Sequence, residues 1–156
     1  MQKFISKKIK EKSASRLAFV QATYMIDFGE INVDEVVKSF VDGKVGHFTL
    51  SESEEVIELS DFDKEYFANI TRDMHLKKQD VENSLKGFLK ENVELDKLDG
   101  IMRSILLCAC YELAFSSDID SKILIQEYMD VAYGFYLKNE PKVINAILDQ
   151  VAKAVR

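Results

Sequence analysis

This sequence predicts an all-α protein of about seven helices in two packed helical subdomains, and three observations carry that expectation. The chain has a single proline, Pro141, and six glycines in 156 residues, too few to punctuate the tight turns of an all-β sandwich. Its apolar residues recur at intervals of three and four, the spacing that lines one face of a helix. Hydrophobic residues make up 47% of the chain, enough apolar surface to offset the entropy of ordering a core, which excludes wholesale disorder.

The elements follow in order. Leu17, Val20, Tyr24 and Phe28 recur at helical spacing between the candidate cap Ser13 and Gly29, which predicts a first helix over 14–28. Asn32 can cap a short second helix carrying Val33, Val36, Val37 and Phe40. Residues 42–60 show no sustained helical period and read as an acidic loop; a brief strand pair there lacks a strong turn signal. A third helix starts at Asp63 with Tyr66, Phe67, Ile70 and Met74 on adjoining faces, and a fourth starts near Gln79 with Val81, Leu85, Phe88 and Leu89 inward.

Asp99 can cap the segment Ile101 to Phe115, apolar around nearly its whole circumference, so it should be a central helix packed on several sides. Glu112 interrupts that segment and needs a hydrogen-bonding or basic partner if buried. Two helices close the chain, about 121–137 and 141–154, the second opened by Pro141, whose missing N–H costs nothing in a first turn. The expected division is into subdomains 13–78 and 79–156 of one helical domain, with residues 1–12 a disordered tail.

Charge is unevenly distributed. The net charge is -6, which does not advertise nucleic-acid binding by the surface as a whole. Residues 1–16 nevertheless hold six bases against Glu11, a local +5, while residues 27–65 hold twelve acids against three lysines, a local -9. Such a chain can present a basic edge to phosphates, although for the lysines considered alone a solvated, frayed tail is the favoured account.

Catalytic equipment is sparse. His47 and His75 have no second histidine at ligand spacing, no metal site is expected, and the isolated glycines form no phosphate loop. Cys108 and Cys110 sit two positions apart in an apolar run, where helical side chains diverge and cannot bridge; they read as reduced core residues, which makes a cytoplasmic location the default. Asp118 and Asp120 precede a helix and read as capping residues. No segment approaches the roughly 18–20 apolar residues of a membrane span. No residue stands out as catalytic, and weight moves to binding.

Two stretches carry a more specific signal. SASRLAFVQATY at 13–24 resembles the pattern A-R-x-x-A-V-Q-A-L-Y that opens the transcription antitermination factor NusB family. LDKLDGIMRSILLCACYELAFSSDIDSKILIQEYMDVAYGF, from residue 95, is similar to that family's central A-I-L-R-L-A-x-Y-E-L helix and the segment after it, and KVINAILDQV at 142–151 to its K-F-V-N-G-V-L-D. The resemblance implies a non-catalytic, cofactor-free, all-helical RNA-binding factor. It would act with NusE, a small-subunit ribosomal protein, on the boxA element of nascent ribosomal RNA, and so indirectly on the RNA polymerase elongation complex. The reading kept beside it is a helical protein-interaction module or homodimer without RNA binding of its own.

Residue by residue, the family's arginine-rich patch maps to Lys12 and Arg16, with Ser13 and Ala14 where arginines often stand and Lys7, Lys8 and Lys10 compensating from upstream. The polar pair before K-F-V-N-G becomes Asn139 and Glu140, followed by Lys142, so Asn139 and Lys142 are expected RNA contacts. The NusE-facing surface maps to Tyr24 and to the start of the central helix, where Met102 replaces an acid beside Arg103 and Asp99 could substitute one turn earlier.

Overall fold

The computed structural model describes the backbone of residues 2–43, 47–49, 56–58, 62–91 and 93–156, and side chains from residue 11 onward outside 44–61 and residue 92. Seven α-helices dominate: α1 (Gln2–Gly29), α2 (Val33–Val41), α3 (Lys64–Leu76), α4 (Lys78–Lys86), α5 (Gly100–Phe115), α6 (Ser121–Phe135) and α7 (Glu140–Val155). The fold is all-α as predicted, with one short addition. β1 (His47–Thr49) and β2 (Val56–Glu58) pair antiparallel, with Phe48 opposite Ile57, inside the segment read as an acidic loop. The chain divides into two compact units, Met1–Asp73 and Met74–Arg156, a boundary that falls within α3.

In the first unit, α1 begins at Gln2, so residues 2–12 of the expected tail belong to its helical backbone. Its buried face also differs from the predicted stripe. Phe28 is half exposed and Leu17 and Tyr24 are only partly covered, whereas Ser15, Arg16, Ala18, Phe19, Val20, Ala22 and Thr23 are buried. Three polar residues among the seven hide this face from a hydrophobicity pattern. The α2 N-terminus is as expected, with the Asn32 side chain accepting from the N–H groups of Asp34 and Glu35. Phe67 of α3 packs edge-on to Phe62 at 5.4 Å and against Phe40 of α2 at 5.2 Å between ring centroids.

The second unit is built around α5, which packs on α4, α6 and α7 and buries every residue from Ser104 to Leu113. Glu112 lies at 0% exposure, and the Tyr128 hydroxyl of α6 donates to its Oε2 at 2.8 Å, the partner that the buried carboxyl requires. Helix α4 ends at Lys86, so Phe88 and Leu89 sit half-buried in the following turn. Asp120 caps α6 by accepting from the Lys122 N–H at 2.8 Å, and Pro141 occupies the first turn of α7. The open C-terminal carbonyls of α5 and the turn after it find a donor that the sequence did not flag: the Arg156 guanidinium donates to the carbonyls of Leu113, Ser116 and Ile119.

Candidate nucleic-acid interface

The basic residues expected at the start of α1 do not behave alike. Lys7, Lys8 and Lys10 lie on the first turns of the helix, and their side chains fall outside the described residues. Lys12 and Arg16 are one turn apart on one face, and that face meets the start of α3. The Lys12 ammonium donates to Asp63 Oδ2 at 2.8 Å and sits 4.0 Å above the centroid of the Tyr66 ring. Arg16 donates to the Tyr66 hydroxyl at 3.3 Å and is 4% exposed. The expectation of two open phosphate contacts is therefore corrected for Arg16. Its guanidinium is spent inside the unit, where cation–π attraction and a hydrogen bond to Tyr66 replace solvent.

Asp63 is the hub of this arrangement. Its N–H donates to Ser15 Oγ at 2.8 Å, whose own proton goes to the Glu11 carbonyl at 2.7 Å; its carbonyl accepts from the Phe67 N–H, and its Oδ1 accepts from the Tyr66 N–H at 2.9 Å. It is thus the N-cap of α3 and leaves only Oδ2 for Lys12. Ser15, a departure from the alanine of the family pattern, is one half of the junction. No local sequence signal marks Lys12 and Asp63 as partners, because the contact spans 51 positions.

In the second unit, Asn139 and Lys142 are exposed one turn apart at the start of α7. The Asn139 side chain makes no capping bond; its carbonyl instead accepts from the N–H groups of Lys142 and Val143. That leaves one amide and one ammonium facing solvent at a helix start. Of the residues mapped to the protein partner, Tyr24 stacks on Phe28 at 4.9 Å in the first unit, giving a partly exposed aromatic pair. In the second unit Arg103 is half-buried and Asp99 exposed, but Met102 points inward and is 9% exposed, so it backs the surface and does not form it. Asp99 occupies the N-cap position of α5 without a side-chain cap bond, and its carboxylate accepts from the Tyr136 hydroxyl. Burial, then that carboxylate, push the Tyr136 hydroxyl's pKa upward.

No cluster of three or more potential metal ligands occurs among the described residues. Cys108 and Cys110 are buried, and burial pushes the Cys110 thiol up to about 12, far from the thiolate a nucleophile needs. A groove of about 470 Å³ between α2 and α3 has Val37, Val41 and Ala68 on its walls and a rim of mixed charge, part of which is neutralised by the 3.1 Å pair of Arg72 with Asp34. No helix among the described residues is long and apolar enough to cross a membrane.

Comparison with known proteins decides the lineage. The sequence model described as the NusB family matches residues 13–153. The chain belongs to the NusB family. A transcription antitermination protein NusB from Rhodospirillum rubrum is 34% identical over 155 residues, covering 92% of this chain and 84% of that protein. One from Maricaulis maris is 30% identical, covering 93% of this chain and 88% of its own length. Among solved structures, NusB of T. maritima superposes with a TM-score of 0.73 at 23% identity over 90% of this chain and 89% of that one, a likeness of fold. The relatives are thus transcription antitermination factors, and the helical architecture is that of the NusB family.

Proposed function

We propose that this protein is a non-catalytic antitermination factor that binds boxA-type single-stranded RNA jointly with NusE and acts through that complex on the elongating RNA polymerase. The family match across residues 13–153 carries the reading. Backbone attraction comes from Lys7, Lys8 and Lys10 on α1 and from Lys142 on α7, with Asn139 offering hydrogen bonds beside Lys142. Lys12 contributes less directly, since it is paired with Asp63 over the Tyr66 ring, and Arg16, closed inward on Tyr66, is not assigned to RNA. Tyr24 with Phe28 in one unit, and Asp99 with Arg103 in the other, are the residues we assign to NusE, over the buried Met102.

The test is an RNA titration with and without NusE at several salt concentrations. The expected outcome is tighter binding of boxA RNA than of a scrambled sequence, with NusE increasing the affinity. Absence of both sequence preference and enhancement sinks the reading. One observation favours the second reading, a protein-interaction module or homodimer with no RNA role of its own: Arg16, the arginine retained in the family register, is closed inward. Partner retention after nuclease treatment, with no RNA affinity in the purified protein, is the outcome that selects it.

A further inference from the structure

We propose that Asp63 is an internal phosphate surrogate: its carboxylate occupies Lys12 and thereby weakens the grip of this protein on an RNA backbone. The inference rests on the RNA-binding reading above and adds to it a residue that sets affinity.

The carboxylate is fixed by the fold, whatever Lys12 does. Ser15 Oγ holds the Asp63 N–H, the Phe67 N–H holds its carbonyl, and the Tyr66 N–H holds Oδ1. What remains is Oδ2, aimed at an ammonium 2.8 Å away, a charge-assisted distance of the kind a phosphate oxygen would adopt. The Tyr66 ring beneath Lys12 at 4.0 Å fixes the other side of the ammonium. The pair is nevertheless open to solutes, since the Lys12 and Asp63 side chains retain 37% and 32% exposure. A nucleic-acid phosphate arriving at Lys12 meets a cation already neutralised, and must also come close to the carboxylate. Counterion release from the RNA gives the same result: a lysine already held by a carboxylate neutralises little of an arriving phosphate, so it frees few of the counterions condensed on the RNA and adds little to the salt dependence of binding until its internal partner is removed.

Asp63→Asn separates charge from structure. Asparagine is as good an N-cap as aspartate, so it keeps an acceptor for the Tyr66 N–H while the backbone bond to Ser15 is unaffected. Asp63→Ser, also a capping residue, is the second variant should the amide disturb the junction, and thermal melts report whether each is folded. Glu65→Gln makes the same change in net charge at an exposed position of the first turn of α3 that does not pair with Lys12. The probe is a mixed-sequence single-stranded RNA of about twelve nucleotides, within the site sizes of single-strand binders, titrated by anisotropy over a salt series.

The expected result is that Asp63→Asn binds about two- to fivefold tighter at low salt, the strength of releasing one exposed ion pair, and that its log–log salt slope steepens by about 0.7. Glu65→Gln should give a smaller change. Lys12→Ala should cost more in the Asp63→Asn background than in the wild type, a coupling that a general shift in field does not produce. Three outcomes overturn the proposal: unchanged affinity and slope in folded Asp63→Asn and Asp63→Ser, weaker binding in both, or equal gains from Glu65→Gln. If the wild type itself fails to bind RNA under all conditions, the RNA-binding reading fails and this inference falls with it; if the wild type binds and only the variants fail to respond, the inference alone is lost.

Discussion

Glu112 and Tyr128 show how much a single side chain settles in this protein. A carboxyl at 0% exposure inside the most apolar helix would be costly without donors, and the Tyr128 hydroxyl supplies one at 2.8 Å while its ring fills the core between α5 and α6. Tyr128→Phe keeps the ring and removes the donor, so it should destabilise the fold by about 1–3 kcal/mol, the range for leaving a buried polar group short of a partner. Urea unfolding with unchanged denaturant sensitivity checks this, and a variant as stable as the wild type would show that the carboxyl does not depend on this hydroxyl. Arg16 makes the complementary case. Its guanidinium is spent on Tyr66, so the position that looks most like a nucleic-acid contact in the sequence is, in the fold, part of the junction between α1 and α3.

At the level of elements, the ends are governed by local chemistry and are therefore open to direct test. Asn32→Ala removes the acceptor for two N–H groups of α2, a helix of nine residues, and should cost about 1 kcal/mol, whereas Asn32→Asp should cost a few tenths at most. Thermal melts of the two variants separate cap loss from general disturbance; equal effects would refute a capping role. Local chemistry is also what made most elements readable in the sequence. Asn32, Asp120 and Pro141 announce their helix starts within a few residues, and the circumferential apolarity of the α5 segment marks it as central. Three features escaped because their causes are not local. The face that α1 buries contains the polar Ser15, Arg16 and Thr23, and Ser15 and Arg16 meet Asp63 and Tyr66 about fifty positions away, so the apolar stripe through Leu17 and Phe28 misplaced it. The strands 47–49 and 56–58 pair without a turn signal. The contact of Lys12 with Asp63 joins positions 51 apart, beyond any periodicity. Of the candidate site, the family register located the basic residues, but not which of them the fold keeps occupied.

For the molecule as a whole, the proposed RNA role raises the question of how a chain of net charge -6 would hold a polyanion. The overall field is unfavourable, so on that proposal binding comes from a few cations that lie outside the acidic stretch 27–65 in sequence. If Lys7, Lys8, Lys10 and Lys142 each meet one phosphate, a single-stranded RNA should show a log–log salt slope near -3, since each neutralised phosphate contributes about 0.7. Replacing Lys7, Lys8 and Lys10 together by alanine should then flatten the slope by about 2 and weaken binding alike for boxA and scrambled RNA, because phosphate contacts position the backbone without reading bases. Asn139→Ala belongs to the opposite class: an exposed amide that reads a base should lower the preference for boxA while leaving the slope where it was. Anisotropy titrations of both variants against both RNAs across a salt series separate the two effects. A triple variant with the wild-type slope would show that the helical lysine-rich start of α1 stays in solvent, and the proposed RNA role would then have to run through other cations.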